Sequence, residues 1–110
     1  EEKIAAVTAI SGSGPAYVYF FMDALIRAAR EMGFSEGDAN LLVQQTFSGA
    51  LSLFRQNSLS CEDWIQKVAS KGGTTEAALK AFGETQLTEA SSTGAQAALT
   101  RAQELGSQKD

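Results

Sequence analysis

The chain contains one proline, and it heads the most apolar stretch of the sequence, "PAYVYFFMDALIRAAREM", residues 15–32. Proline lacks an N–H and holds φ near about −65°, so it fits the first turn of a helix and disrupts the interior. Ser13 or Gly14 can cap ahead of it, and Gly33 can close the C-terminal end in a left-handed conformation. A helix from about Pro15 to Met32 follows. Its first half, "YVYFFM", has strand-like propensity, but length, the proline and the alanine-rich continuation favour the helix. Because this half is apolar around its whole circumference, it is expected to be buried on several sides.

Four further helices follow from local signals. In "FSEGDANLLVQQTFSGALSLFRQ", Ser35 caps and Asp38 answers three residues later as a capping box. Val43, Phe47, Ala50 and Phe54 form one apolar row there, and Leu42, Thr46, Gly49 and Leu53 form a second beside it. Ser60 and Asp63 repeat the box ahead of a shorter helix carrying Trp64, Ile65 and Val68. Another helix is expected from Thr75 to about Gly83, and a last one from about Thr88 to Leu105. The last helix would turn Leu87, Ser91, Ala95, Ala98, Ala102 and Leu105 inward, a mostly small stripe that lets helices approach closely.

The fold class is therefore all-α, with about five helices. In 110 residues the core is tight for one chain, because the first two helices both want burial over most of their circumference. An interleaved bundle completed by a second copy would meet that need, because obligate interfaces resemble a domain core cut in half. A monomeric bundle with its aromatic residues packed inside satisfies the same pattern.

Composition removes several classes of function. With no histidine and a single cysteine, neither a serine- or cysteine-type triad nor an ordinary zinc site can be built, and no metal is expected. A net charge of −4 offers no basic stripe for nucleic acid. The longest uninterrupted apolar run, Ala16 to Met22, is far shorter than a membrane span. One cysteine, Cys61, excludes an internal disulfide and suits a reducing compartment. Any catalysis must rest on hydroxyls, backbone amides or a cofactor.

Two glycine-rich stretches could carry such chemistry. "SGSGPAY", residues 11–17, spaces Gly12 and Gly14 like the start of a dinucleotide-binding turn, but no strand–helix–strand unit or third glycine accompanies it. It is better explained as a tight turn into the first helix. "SKGGTT", residues 70–75, differs, because Gly72 and Gly73 let the backbone turn closely while the amides of Gly73, Thr74 and Thr75 leave a helix N-terminus. Such amides, reinforced by the helix dipole, bind carboxylate or phosphate, and a plain helix cap uses the same residues.

Taken together, "SGSGPAY" opening a long helix and "VASKGGTTEAALKAF" (68–82) following the second helix and Trp64 closely resemble the C-terminal domain of pyrroline-5-carboxylate reductase, the last enzyme of proline synthesis. The resemblance covers about Ala9 to Leu105. The family commonly has proline after the serine where this chain has Lys71, a change in loop rigidity and local charge.

The resemblance implies that residues 1–110 are a C-terminal helical dimerisation and substrate-binding domain, with an N-terminal Rossmann domain, absent from this chain, binding NADP or NAD. It implies a cytoplasmic homodimer, with higher assembly left open, that reduces 1-pyrroline-5-carboxylate to L-proline with NAD(P)H. No nucleic acid or membrane partner is implied, and this stretch alone is expected to be inactive. Carried over by position, Thr75 is the catalytic hydroxyl beside the substrate nitrogen, and Ser70, Gly72, Gly73, Thr74 and Thr75 form the substrate-binding set. Two other readings remain at this stage. One is a helical dimerisation module that sees no substrate. The other is the helical domain of a related β-hydroxyacid dehydrogenase, whose catalytic lysine would have to be Lys67, Lys71 or Lys80.

Overall fold

The computed structural model describes residues 2–69 and 73–108. Among them the chain is helical throughout: α1 (Glu2–Val7), a π-helical turn (Thr8–Gly12), α2 (Gly14–Glu31), α3 (Glu36–Gln56), α4 (Cys61–Ala69), α5 (Gly73–Glu84) and α6 (Leu87–Gln108). The five expected helices are all present. The sequence reading missed α1 and replaced the π-helical turn with a tight turn at residues 11–17. That expectation is corrected, because Ser13 has helical dihedrals and its N–H bonds the Thr8 carbonyl, so the helix runs on through the serines and glycines.

Local chemistry explains the element boundaries. Gly33 closes α2 with φ 107°, a left-handed conformation that L side chains rarely adopt. The Phe34 N–H reaches back to the Ala29 carbonyl at 3.2 Å, the six-to-one bond of a Schellman closure. The Ser35 hydroxyl accepts the Asp38 amide at 3.1 Å and starts α3. At α4 the capping box is reciprocal: the Asp63 amide donates to Ser60 Oγ at 3.0 Å, and the Ser60 amide faces Asp63 Oδ2 at 3.5 Å.

Gly33 allows a clean test of that closure. A Cβ at Gly33 would meet nothing within 4 Å, so Gly33→Ala isolates backbone strain from crowding. It is expected to lower stability by about 1–2 kcal/mol in a urea melt, the cost of a left-handed alanine. Gly37→Ala, also in open space but inside α3, should be neutral or stabilising by up to about 1 kcal/mol.

The chain divides into two units, Phe20–Ala77 and the pair Glu1–Tyr19 with Ala78–Asp110. In the first, Met22, Leu25, Ile26 and Ala29 form a half-buried row along α2 at helical spacing. On α3, Ala39 and Val43 are 0% and 6% exposed, and Phe47 continues that row with its ring edge-on to Phe21, centroids 5.9 Å apart. In the other unit α1, the π-helical turn and α6 pack on one another. Ala9 is the buried residue of that turn, and α6 contributes half-buried Ala95, Ala98, Leu99 and Ala102.

Two faces expected to be buried are uncovered in the single chain. The first half of α2 is not enclosed, since Val18 and Tyr19 are exposed and Phe20 is 80% exposed. The second row on α3 is uncovered too, with Leu42 and Leu53 exposed, as is Phe54 at the end of the first row. No large side chain among the described residues is fully buried. The physical reason is a shortage of cover, as six helices present more apolar face than they enclose. Joining α1, the π-helical turn and α2 also produces a helical run, Lys3–Glu31, long and apolar enough by length and composition to cross a membrane. Counting uninterrupted apolar residues did not reveal it.

Candidate functional site

The stretch that carries the expected chemistry lies between α4 and α5. The Ser60–Asp63 box fixes where α4 begins, and buried Ala69 anchors its last turn. Ser70, Lys71 and Gly72 lie outside the described residues. Gly73, Thr74 and Thr75 are the first three residues of α5, two residues earlier than the expected start at Thr75. The structure thus brings three of the five candidate binding residues together on one helical turn.

Three properties of that turn bear on binding. First-turn amides have no carbonyl partner within their own helix, and the helix dipole adds partial positive charge there. A Cβ at Gly73 would meet nothing within 4 Å, so the space above the first amide is open. Gly73 and Thr74 are exposed and Thr75 is half-buried. A ligand could therefore reach the amides while the Thr75 side chain keeps a defined position.

The threonine hydroxyls are the clearest feature. Elsewhere in the chain some helical hydroxyls bond the carbonyl four residues back, Thr8 on Ile4 at 3.0 Å, Thr46 on Leu42 at 2.8 Å and Ser91 on Leu87 at 2.8 Å, while others such as Ser48 and Thr100 on exposed helix faces do not. The Thr74 and Thr75 hydroxyls make no hydrogen bond among the described residues. Their place in the first turn is the reason, because the residue four positions back precedes the helix. Each hydroxyl can therefore donate to or accept from a ligand without first breaking an internal bond.

Other candidate chemistry is weaker. An open groove beside Ile26 is lined by Arg27, Arg30, Glu31 and Glu36. Its arginines are paired, Arg27 with Asp23 at 2.8 Å and Arg30 with Glu36 at 3.2 Å, so no net positive charge is offered there. Among the described residues no three His, Cys, Asp or Glu side chains gather as a metal would require. Lys67 lies on α4 with its ammonium 6.0 Å from the Trp64 ring centre, and Lys80 lies far along α5. Lys71 is outside the described residues.

Comparison with known proteins identifies the architecture. Residues 1–105 match the family model for pyrroline-5-carboxylate reductase dimerisation. The chain belongs to that family. Among curated relatives of this dimerisation domain, pyrroline-5-carboxylate reductase 2 of Bacillus subtilis is 41% identical over 90 residues, 82% of this chain and 32% of the relative. The reductase of Vibrio alginolyticus is 42% identical over 106 residues, 96% of this chain and 39% of the relative. The chain thus spans about a third to two-fifths of the length of these relatives. Among solved structures, the reductase of Coxiella burnetii superposes with TM-score 0.90 at 40% identity, covering 96% of this chain and 39% of that one. The pyrroline carboxylate reductase of Plasmodium falciparum, with NADP bound, superposes with TM-score 0.92 at 29% identity, covering 96% and 40%.

Family membership places this chain with the pyrroline-5-carboxylate reductases. It removes the β-hydroxyacid dehydrogenase reading, and with it the need for a catalytic lysine.

Proposed function

We propose that residues 1–110 are the dimerisation and substrate-binding part of a cytoplasmic pyrroline-5-carboxylate reductase, which reduces 1-pyrroline-5-carboxylate to L-proline. The observation that carries this reading is the first turn of α5, where three amides without helical partners stand beside a threonine hydroxyl without an internal bond. In the substrate the ring nitrogen and the carboxylate are attached to the same carbon, so one helical turn can serve both. The amides of Gly73, Thr74 and Thr75 hold the carboxylate, with Ser70 and Gly72 completing the cradle. Thr75 Oγ1 faces the nitrogen.

The chemistry then needs little from side chains. When bound, a reduced nicotinamide cofactor, NADPH or NADH, would supply the hydride that the imine carbon accepts. The C=N π bond opens onto nitrogen, which ends as the amine of proline with a proton taken from solvent or passed through a hydroxyl. Thr75 orients the ring and offers a hydrogen-bonding route for that proton. The cofactor is held mainly by an N-terminal dinucleotide-binding domain, as the resemblance implies. No strand occurs among the described residues, so the elements of such a domain are not built here.

The uncovered apolar face supports a homodimer. Phe20, Leu42, Leu53 and Phe54 on α2 and α3 leave large hydrophobic side chains exposed, the kind of surface that marks an interface. A second copy is preferred over a bilayer because Asp23, Arg27 and Arg30 interrupt the apolar run in α2, and charges inside a lipid core are costly.

The reading is tested in the full-length protein by following oxidation of reduced nicotinamide that depends on pyrroline-5-carboxylate. Activity is expected, and its absence in folded full-length protein would overturn the proposal. Gly73→Val should chiefly raise KM, by about tenfold or more, because the new branched side chain fills the approach to the first amide.

A further inference from the structure

A regular α-helix through this region would pair the Ser13 N–H with the Ala9 carbonyl, four residues back. The chain does otherwise. Ser13 donates to the Thr8 carbonyl, five residues back, at 2.9 Å. The Ala9 carbonyl accepts the Tyr17 hydroxyl at 2.6 Å. The Tyr17 hydroxyl thus takes the carbonyl that a regular α-helix would give to the Ser13 N–H. Ala9 is 3% exposed, so water is poorly placed to serve its carbonyl, and a buried carbonyl needs a partner from the protein.

We propose that Tyr17 is a positioning residue that holds residues 8–12 in the π register. Its hydroxyl occupies the Ala9 carbonyl, Ser13 is left to pair with Thr8, and one additional residue is kept in the turn. The consequence falls on α1. This helix packs against both the π-helical turn and α6, with Ala5 half-buried and Ile4 and Val7 exposed. Without the hydroxyl, the Ser13 N–H pairs with Ala9 and the turn closes as α-helix. The residues before it then rotate by about 100° and shift by about 1.5 Å along the axis. A different face of α1 then meets α6. The phenol therefore acts as a register latch for the helix that precedes α2, and π-helical turns with such a role cluster at functional positions.

The test is structural and uses the full-length protein. In Tyr17→Phe, the Ser13 N–H is expected to move from Thr8 to Ala9, and α1 to turn by about 100° against α6, both read from a crystal structure. Deleting exposed Ile10 in the same variant removes the additional residue and should restore the original rotation of α1 against α6 within a continuous α-helix. A Tyr17→Phe structure that keeps the Ser13–Thr8 bond would overturn the proposal, whether the Ala9 carbonyl takes a water or stands bare. If Tyr17→Phe alone fails to fold, the Tyr17→Phe variant lacking Ile10 decides the matter. It must fold with α1 in its original rotation against α6, and its failure would equally overturn the latch.

Discussion

Thr75→Ala in the full-length protein is expected to lower kcat at least about tenfold, roughly 1.4 kcal/mol of transition-state stabilisation, with a smaller change in KM. The asymmetry follows from the proposed role. Charge at the imine nitrogen changes as hydride adds, so a hydroxyl there interacts more strongly in the transition state than with bound substrate. Proton-transfer assistance of this kind typically contributes about 10²–10⁴-fold, and water in the vacated space would recover part of it. Thr75→Ser, which keeps the hydroxyl, should recover most of the turnover. Folding should be little affected, because the Thr75 hydroxyl makes no hydrogen bond among the described residues and the side chain is only half-buried. Unchanged kcat in Thr75→Ala would reduce the first turn of α5 to a helix start.

Phe20→Asp should weaken the dimer by about 100-fold in Kd, or about 3 kcal/mol, through lost apolar burial and a carboxylate brought out of water. Phe20 is the test position because it is 80% exposed in the single chain. A substitution there disturbs little within the chain, so a large effect on association points to a second copy. The concentration dependence of sedimentation measures it. A dimer of unchanged affinity would place the interface on another face.

The sequence made some of this fold legible and hid the rest for identifiable reasons. Gly33, Ser35 and Ser60 were readable because capping and closing are local, and each bond involved spans three to five residues. The Val43–Phe47 row on α3 was readable from helical spacing. The neighbouring row through Leu42 and Leu53 looked equally buried and is exposed, because periodicity reveals that a face is apolar and not which chain covers it. The π-helical turn left no periodic signal. It depends on a bond between Tyr17 and Ala9, and "SGSG" looks like a break in the helix when it is read residue by residue. Helix α1 was missed with it, since "EEKIAAV" carries neither a proline nor a closing glycine. At the candidate site, the glycine pair followed by two threonines marked a helix start, and Gly73 to Thr75 stand there. Spacing could not reveal that the two hydroxyls would lack internal partners, which depends on how early in α5 they fall.

The most direct measurement is the mass of this chain in solution. Sedimentation at micromolar concentration, with helix content checked by circular dichroism, should give a species of twice the 11.6 kDa chain mass. A homogeneous 11.6 kDa species retaining its helices at that concentration would contradict a fold completed by a second copy.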